Sequence, residues 1–295
     1  MLKKKMLLIF NPHSGLAKFP DNLFKITDKF TSAGYLVTTY PTQEAGEAAK
    51  MIEYYAGDYD YLVCAGGDGT VNEAISALLK LEKRPVFGII PCGTSNDFAS
   101  SLGLPKDILG AGEAIVDGLP KSIDIGCFDG LNFCYVAAFG LFTDVSYATP
   151  QNVKNILGHL AYVLEGLKRL GSIRSYRCEL ELDGEKIAGD FVFGMVANSQ
   201  SVGGMKLPEK IGAKMDDSLF EVLLLQMPET FADLQHTISA VIKQEEYTDS
   251  IIIRKAKKVI FKSTEIIPWT LDGEFGGNYS NVEINNLHHA LSIIS

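Results

Sequence analysis

Apolar and polar positions along the chain fall into two regimes. In the first hundred residues, continuous apolar runs at 6–10, 61–65 and 86–91 each end in a small or polar turn, and a helical pattern follows each turn. The turns are Asn11-Pro12-His13-Ser14-Gly15, Gly66-Gly67-Asp68-Gly69-Thr70 and Cys92-Gly93-Thr94-Ser95-Asn96-Asp97-Phe98. Continuous apolar strands alternating with helices predict a parallel sheet covered on both faces. Ligands of such sheets sit at the carboxyl ends of the strands, and all three turns belong to that edge. The helix after the second turn is the clearest. Val71, Ala74, Ile75, Leu78 and Leu79 fall at i, i+3, i+4, i+7 and i+8 and form one apolar stripe. Asp68 or Thr70 is expected near its N-cap.

After about residue 122 the period shortens. Segments 122–128 and 132–139 flank Asp129-Gly130, and 178–182 and 186–196 flank Asp183-Gly184, so both read as hairpins around a D-G turn. Further short strands are expected at 220–225, 257–261, 266–271 and 282–284. Two helices are expected among them, at about 150–170 and 229–245. The whole predicts an α/β protein: an N-terminal parallel-sheet domain, then an antiparallel β-rich second domain. We place the first at 1–122, with the last strand at 287–295 returning to it, and the second at 123–286.

Composition narrows the function. The 295 residues fit two domains at about 150 residues each. A formal charge of −9 argues against a nucleic-acid binder, which needs a basic face. No apolar stretch is long enough to span a bilayer. The start, Met1-Leu2-Lys3-Lys4-Lys5 and then five apolar residues, is too short for a secretory signal and reads as a buried strand. Five cysteines without a C-x-x-C pair suit a reduced, cytoplasmic setting, and the five histidines form no zinc pattern.

Gly66-Gly67-Asp68-Gly69-Thr70 carries the most chemistry. Its glycines let the backbone approach a ligand, and the helix that follows favours phosphate at its N-terminus. Asp68 adds a hard oxygen ligand suited to Mg²⁺. The turn is neither a Walker A loop nor G-x-G-x-x-G. On its own it also reads as a tight strand-to-helix turn. Thr94, Ser95 and Asn96 likewise read as a ligand-facing set or as a cap.

Taken together and in order, N-P-x-S-G, G-G-D-G-T-x-N-E and G-T-x-N-D-F resemble the diacylglycerol kinase catalytic-domain family, which includes bacterial soluble lipid kinases and is related to sphingosine and ceramide kinases. The resemblance implies an α/β fold with an N-terminal Rossmann-like nucleotide-binding domain and a β-sandwich-like second domain, and an ATP- and Mg²⁺-dependent lipid kinase with its active site between the two domains, acting on diacylglycerol or another hydroxyl lipid. It implies that Asn11, Pro12, His13, Ser14 and Gly15, Thr42, the run Gly67, Asp68, Gly69, Thr70, Val71, Asn72 and Glu73, and Thr94 bind ATP. Asp68 would stand at the catalytic Mg²⁺. Glu274 in Leu271-Asp272-Gly273-Glu274 would be the general base that a poorly nucleophilic hydroxyl needs. Leu182-Asp183-Gly184-Glu185 repeats the tetrapeptide, and position in the family pattern favours Glu274. Asp216 and the Leu219 backbone correspond to a structural Mg²⁺ loop. Gly212 and Ser218 depart from the family pattern there: Gly212 stands where many relatives have Asp, and Ser218 where many have Gly. Asp124 is a candidate supporting carboxylate.

A lipid acceptor implies transient peripheral contact with a membrane. The apolar face Val153, Ile156, Leu157, Leu160, Leu164 and Leu167 is one candidate for it, and the basic run Arg254-Lys255-Ala256-Lys257-Lys258 is another. Ordinary packing and an ordinary solvated face are the competing readings. A homodimer is the commonest form for a soluble oligomer. Rival functions are an NAD kinase- or phosphofructokinase-like enzyme with a soluble acceptor, since both families use a G-G-D-G turn, and a nucleotide-sensing regulator.

Overall fold

The computed structural model describes residues 4–15, 18–94, 96–141, 174–199, 201–202, 205–206, 214–230, 232–233, 236–237 and 250–295. The expected helix at 150–170, with its apolar face, lies outside these residues, as do Ser95, Gly212 and most of 229–245. The chain divides into two compact units, Met1–Ile123 with His289–Ser295, and Asp124–His288.

The first unit is a parallel sheet with helices. Its strands are β1 (Lys4–Phe10), β2 (Tyr35–Pro41), β3 (Tyr61–Gly66) and β4 (Val86–Pro91). They lie in the order β2-β1-β3-β4, and Ile293 near the C-terminus adds a parallel partner beside Phe87 of β4. The helices are α1 (Phe19–Ser32), α2 (Glu47–Tyr55), α3 (Asp68–Leu79), α4 (Asp97–Ser101) and α5 (Ile108–Asp117). The apolar runs become the core: Met6, Leu8, Phe10, Val63, Ala65 and Ile90 pack with Phe19, Ile26 and Phe30 of α1, Ala111 and Ile115 of α5, and Ile294. Gly112 lets α1 and α5 approach closely, because a Cβ there would lie 2.6 Å from Ile26 Cδ1.

The structure corrects two expectations here. The parallel set has a further member, β2, which carries no apolar run because it is an edge strand with only Tyr35 buried. The N-cap of α3 is Gly67 in extended conformation, not Asp68 or Thr70, and no side chain caps it.

The second unit is antiparallel. Its strands are β5 (Pro120–Phe128), which enters from the first unit, β6 (Leu131–Phe133), β7 (Val136–Gly140), β8 (Tyr176–Leu182) and β9 (Glu185–Ala197). The two-residue strands β10 (Ser201–Val202) and β11 (Met205–Lys206) pair with each other. After them come β12 (Phe220–Gln226), β13 (Ile251–Ala256), β14 (Lys258–Leu271) and β15 (Glu274–Ile294). The core centres on Trp269, whose ring lies 4.8 Å from Phe139, 5.0 Å from Phe128 and 5.1 Å from Phe261.

Strand boundaries differ from expectation for physical reasons. The single strand expected at 132–139 is broken at Cys134 and Tyr135, whose N–H groups turn to the Asp272 carboxylate. The strands expected at 257–261 and 266–271 are one strand, β14, with a register shift between Lys262 and Ile267. β15 likewise joins the expected strand at 282–284 to the C-terminal one.

The Arg84 guanidinium donates to the Leu78 and Leu79 carbonyls at the end of α3 and to Ala290 O of the C-terminal segment, at 3.1, 2.9 and 2.7 Å. Arg84→Ala should cost about 2 kcal/mol in urea unfolding, whereas Arg84→Lys recovers part of it. Glu221, 1% exposed on β12, is pushed up to about 7 by burial, against the opposing Lys255 ammonium 3.2 Å away. Its native carboxyl therefore keeps a proton that the unfolded chain releases, so stability falls as pH rises from about 4.5 to 7, by at most about 3 kcal/mol. Glu221→Gln should flatten that part of the stability profile.

Candidate active site

In the first unit the ends of the parallel strands are level. Phe10 stands opposite both Pro41 and Ala65, and Ala65 stands opposite Ile90. The ladder continues past the strands into the turns. Asn11 N–H donates to Ala65 O (3.0 Å), Cys92 N–H to Gly66 O (2.8 Å), and Thr42 N–H to Phe10 O (2.9 Å). Side by side along one edge, the order is therefore Thr42, the Asn11–Gly15 turn, the Gly66–Thr70 turn, and the turn from Cys92 to Phe98.

Side-chain-free positions let these turns touch. Gly15 has φ +57°, and a Cβ there would lie 2.2 Å from Cys92 O. A Cβ on Gly93 would lie 2.6 Å from Gly67 Cα, and one on Gly67 3.2 Å from Gly93 Cα. Asn96, at φ +52°, locks its turn by accepting from Gly93 N–H and donating to Gly93 O, both at 2.8 Å. Asn11 tightens the first turn through His13 N–H on its Oδ1 (2.9 Å) and Ser14 N–H on its carbonyl (3.2 Å).

Acidic residues order the same edge. Asp68 Oδ1 accepts Phe98 N–H at 3.3 Å. Among the described residues its Oδ2 has no donor, so the carboxylate retains an oxygen for a cation. Glu73 accepts Gly46 N–H at 3.1 Å, joining α3 to the turn after Thr42. Glu47 accepts the Tyr40 hydroxyl at 2.6 Å and the amides of Gln43 and Glu44. The Tyr40 hydroxyl first, and then the Gln43 amide, hold its carboxyl below the usual range. Sequence reading assigned Glu47 no role. The signal for it was an acid placed at the start of a helix, five residues after Thr42. Val71 packs into the core at 4% exposure, so only its backbone is available to a ligand. His13, Gly69 and Thr94 are exposed, and Thr42 is buried.

In the second unit the two D-G-E tetrapeptides separate clearly. Both turns place Asp and then Gly at positive φ, Asp272 at +51° and Gly273 at +80°, Asp183 at +48° and Gly184 at +97°. The buried Asp272 carboxylate accepts the N–H groups of Cys134, Tyr135 and Val136 at 2.6, 2.9 and 3.0 Å, and Tyr135 Oη donates to its carbonyl at 2.9 Å. Asp183 accepts the amides of Lys257 and Lys258 at 2.9 Å each. Glu185 pairs with Arg254 at 2.9 Å. Glu274 is exposed, and among the described residues its carboxylate has no side-chain or amide partner.

Asp124 is fully buried and ties several segments together. Its Oδ2 accepts Ser218 N–H (2.7 Å), its Oδ1 faces His288 Nδ1 (2.9 Å), its N–H donates to Met215 O (2.6 Å), and its carbonyl accepts Asn198 Nδ2 (2.7 Å). The first of these bonds accompanies φ +66° at Ser218, a conformation that favours glycine. Asp216 is exposed on this loop, while Asp217 accepts Leu219 N–H at 3.1 Å. The basic run on β13 and β14 is largely engaged by glutamates. Arg254 pairs with Glu185, Lys255 with Glu221, and Lys258 with Glu283.

A glycine-lined edge of a parallel sheet, followed by an antiparallel unit with a held D-G-E turn, is the arrangement of an α/β protein whose sheet edge suits an anionic ligand. Comparison with known proteins makes this specific. Residues 5–128 match the diacylglycerol kinase catalytic domain, and residues 137–295 match the YegS C-terminal NAD kinase beta sandwich-like domain. The chain is 35% identical over 291 residues to a diacylglycerol kinase of Bacillus subtilis, covering 97% of this chain and 95% of that one. It is 33% identical over 292 residues to one of Staphylococcus carnosus, covering 98% and 94%. A crystal structure of a diacylglycerol kinase from Bacillus anthracis matches with a TM-score of 0.78 at 25% identity, covering 100% of this chain and 97% of that one. The chain belongs to the diacylglycerol kinase family and is a kinase of the lipid-kinase type. No helix among the described residues is long and apolar enough to cross a membrane.

The two D-G turns give a direct comparison. Asp272→Asn removes charge from a carboxylate holding three buried amides and should cost about 2–4 kcal/mol in chemical denaturation. Asp183→Asn, at an exposed turn, should cost at most about 1 kcal/mol.

Proposed function

We propose that the protein transfers the γ-phosphoryl group of ATP, with Mg²⁺, to the free hydroxyl of diacylglycerol, giving phosphatidic acid. The observation that carries this reading is the level row of four turns, three of them brought into contact through Gly15, Gly67 and Gly93. Exposed backbone and an uncapped α3 N-terminus suit an anionic nucleotide. In this reading Asn11, Pro12, His13, Ser14, Gly15, Thr42, Gly67, Gly69, Thr70, Asn72, Glu73 and Thr94 contact ATP, Val71 through its backbone. The unshared oxygen of Asp68 holds the metal, which when bound neutralises phosphate charge. Asp216 and the Leu219 carbonyl hold a second, structural ion.

Glu274 takes the proton of the acceptor hydroxyl. Its support is the contrast within the turn: Asp272 is consumed in fixing the hairpin, and the adjacent Glu is left unpaired and exposed. Asp124 acts as a positioning residue, fixing the 215–219 loop and His288. A cytoplasmic enzyme that meets the bilayer transiently agrees with a lipid acceptor and with five free cysteines. The pairing of Arg254, Lys255 and Lys258 leaves Lys257 as the remaining cation of that run for headgroup contact.

Purified protein with labelled ATP and diacylglycerol in mixed micelles should yield labelled phosphatidic acid. Glu274→Gln should lower kcat by about 10²–10⁴-fold with an unchanged KM for ATP, while Glu185→Gln should leave it unaltered. Transfer to NAD or fructose 6-phosphate in preference to any hydroxyl lipid would overturn the reading.

A further inference from the structure

Three of the four turns in the row meet through glycines, and the fourth, residues 42–46, is held differently. A Cβ on Gly46 would meet nothing within 4 Å. The turn joins the sheet at Thr42, whose N–H donates to Phe10 O at 2.9 Å. Beyond Thr42, carboxylates from two helices hold it. Glu47, the first residue of α2, reaches back over the turn. Its Oε2 accepts the N–H groups of Gln43 and Glu44, and its Oε1 accepts the Tyr40 hydroxyl at 2.6 Å. Glu73 of α3 accepts the Gly46 N–H at 3.1 Å. Tyr40 belongs to β2 and stands opposite Ile9 of β1, so its hydroxyl ties Glu47 to the sheet. All three partners of Glu47 are donors, and each is best met by an ionised carboxylate. The Tyr40 hydroxyl first, and then the Gln43 amide, hold its carboxyl below the usual range.

We infer that Glu47, oriented by Tyr40, is a positioning residue that sets nucleotide affinity by holding the 42–46 turn in line with the other three. It acts through the backbone that carries Thr42 and not by touching the nucleotide. This rests on the nucleotide reading above and adds to it the group that secures the one turn glycine packing leaves open. The physical reason is conformational entropy. A turn already fixed in the free protein costs the ligand nothing to order, whereas a loose one lowers affinity by the cost of ordering it. Replacing the Glu47 carboxylate by an amide sets its NH₂ against donors and releases at least one of the three bonds. Removing the Tyr40 hydroxyl leaves the carboxylate on the turn but frees it from the sheet.

Calorimetric titration of the full chain with ADP and Mg²⁺, paired with hydrogen–deuterium exchange in the absence of nucleotide, tests this. Glu47→Gln should weaken ADP binding about tenfold. It should speed exchange in the peptide spanning 42–47 and leave peptides 11–15, 67–73 and 92–98 as in the wild type. Tyr40→Phe should lose about threefold in affinity. Because both act through one contact, the double variant should lose no more than Glu47→Gln alone. In turnover the loss should fall on KM for ATP rather than on kcat. Wild-type ADP affinity in Glu47→Gln overturns the inference, as do losses that multiply in the double variant. A wild-type chain that binds no ADP overturns the nucleotide reading instead, and faster exchange confined to 42–47 in Glu47→Gln then still supports Glu47 as the holder of the turn.

Discussion

Three backbone turns of this protein come into van der Waals contact because glycines stand where they meet. A side chain at Gly15 or Gly93 would overlap the neighbouring backbone by more than rotamer changes can relieve, since the atoms met are Cys92 O and Gly67 Cα. The rest of the edge depends on that closeness. Hydrogen bonds from Asn11 to Ala65 and from Cys92 to Gly66 extend the sheet into the turns. The Asp68 carboxylate reaches Phe98 N–H in the next turn. Flexible loops are thereby replaced by a surface with backbone groups and one free carboxylate oxygen at fixed positions, the preorganisation that phosphoryl transfer needs.

The second unit meets a related requirement by other means. Its D-G-E turn is fixed by a buried carboxylate rather than by glycine packing. Asp272 takes up three amides that interrupt what would otherwise be a continuous strand between Leu131 and Gly140. Breaking a strand costs ladder hydrogen bonds, and here the carboxylate replaces them. Asp183, in the same tetrapeptide, caps an exposed turn, and Glu185 is spent on Arg254. Identical sequence thus yields two different sites because burial and neighbours differ.

This contrast shows what the sequence made legible. Buried strands β1, β3 and β4 and helix α3 were readable because their periodicity is a direct imprint of burial. Edge strand β2 was not, since one exposed face and one free side leave no apolar run. The three turns were readable from glycine and hydroxyl content, but their mutual contact was not, because it depends on strand order. Nothing local in the chain marks Asp124 as the partner of Ser218 and His288. Those pairings arise only when segments 94 residues apart, or more, are folded together. The basic run at 254–258 resembles a headgroup patch in one dimension, yet glutamates from other strands engage most of it.

The central claim is that a nucleotide lies along the row of turns at the carboxyl edge of the parallel sheet. Hydrogen–deuterium exchange with and without ADP and Mg²⁺ tests it most directly. The account predicts slowed exchange in peptides spanning 11–15, 42–47, 67–73 and 92–98, with the other strands and helices of that unit unchanged. Protection confined to other segments, with these four indifferent to nucleotide, would contradict it.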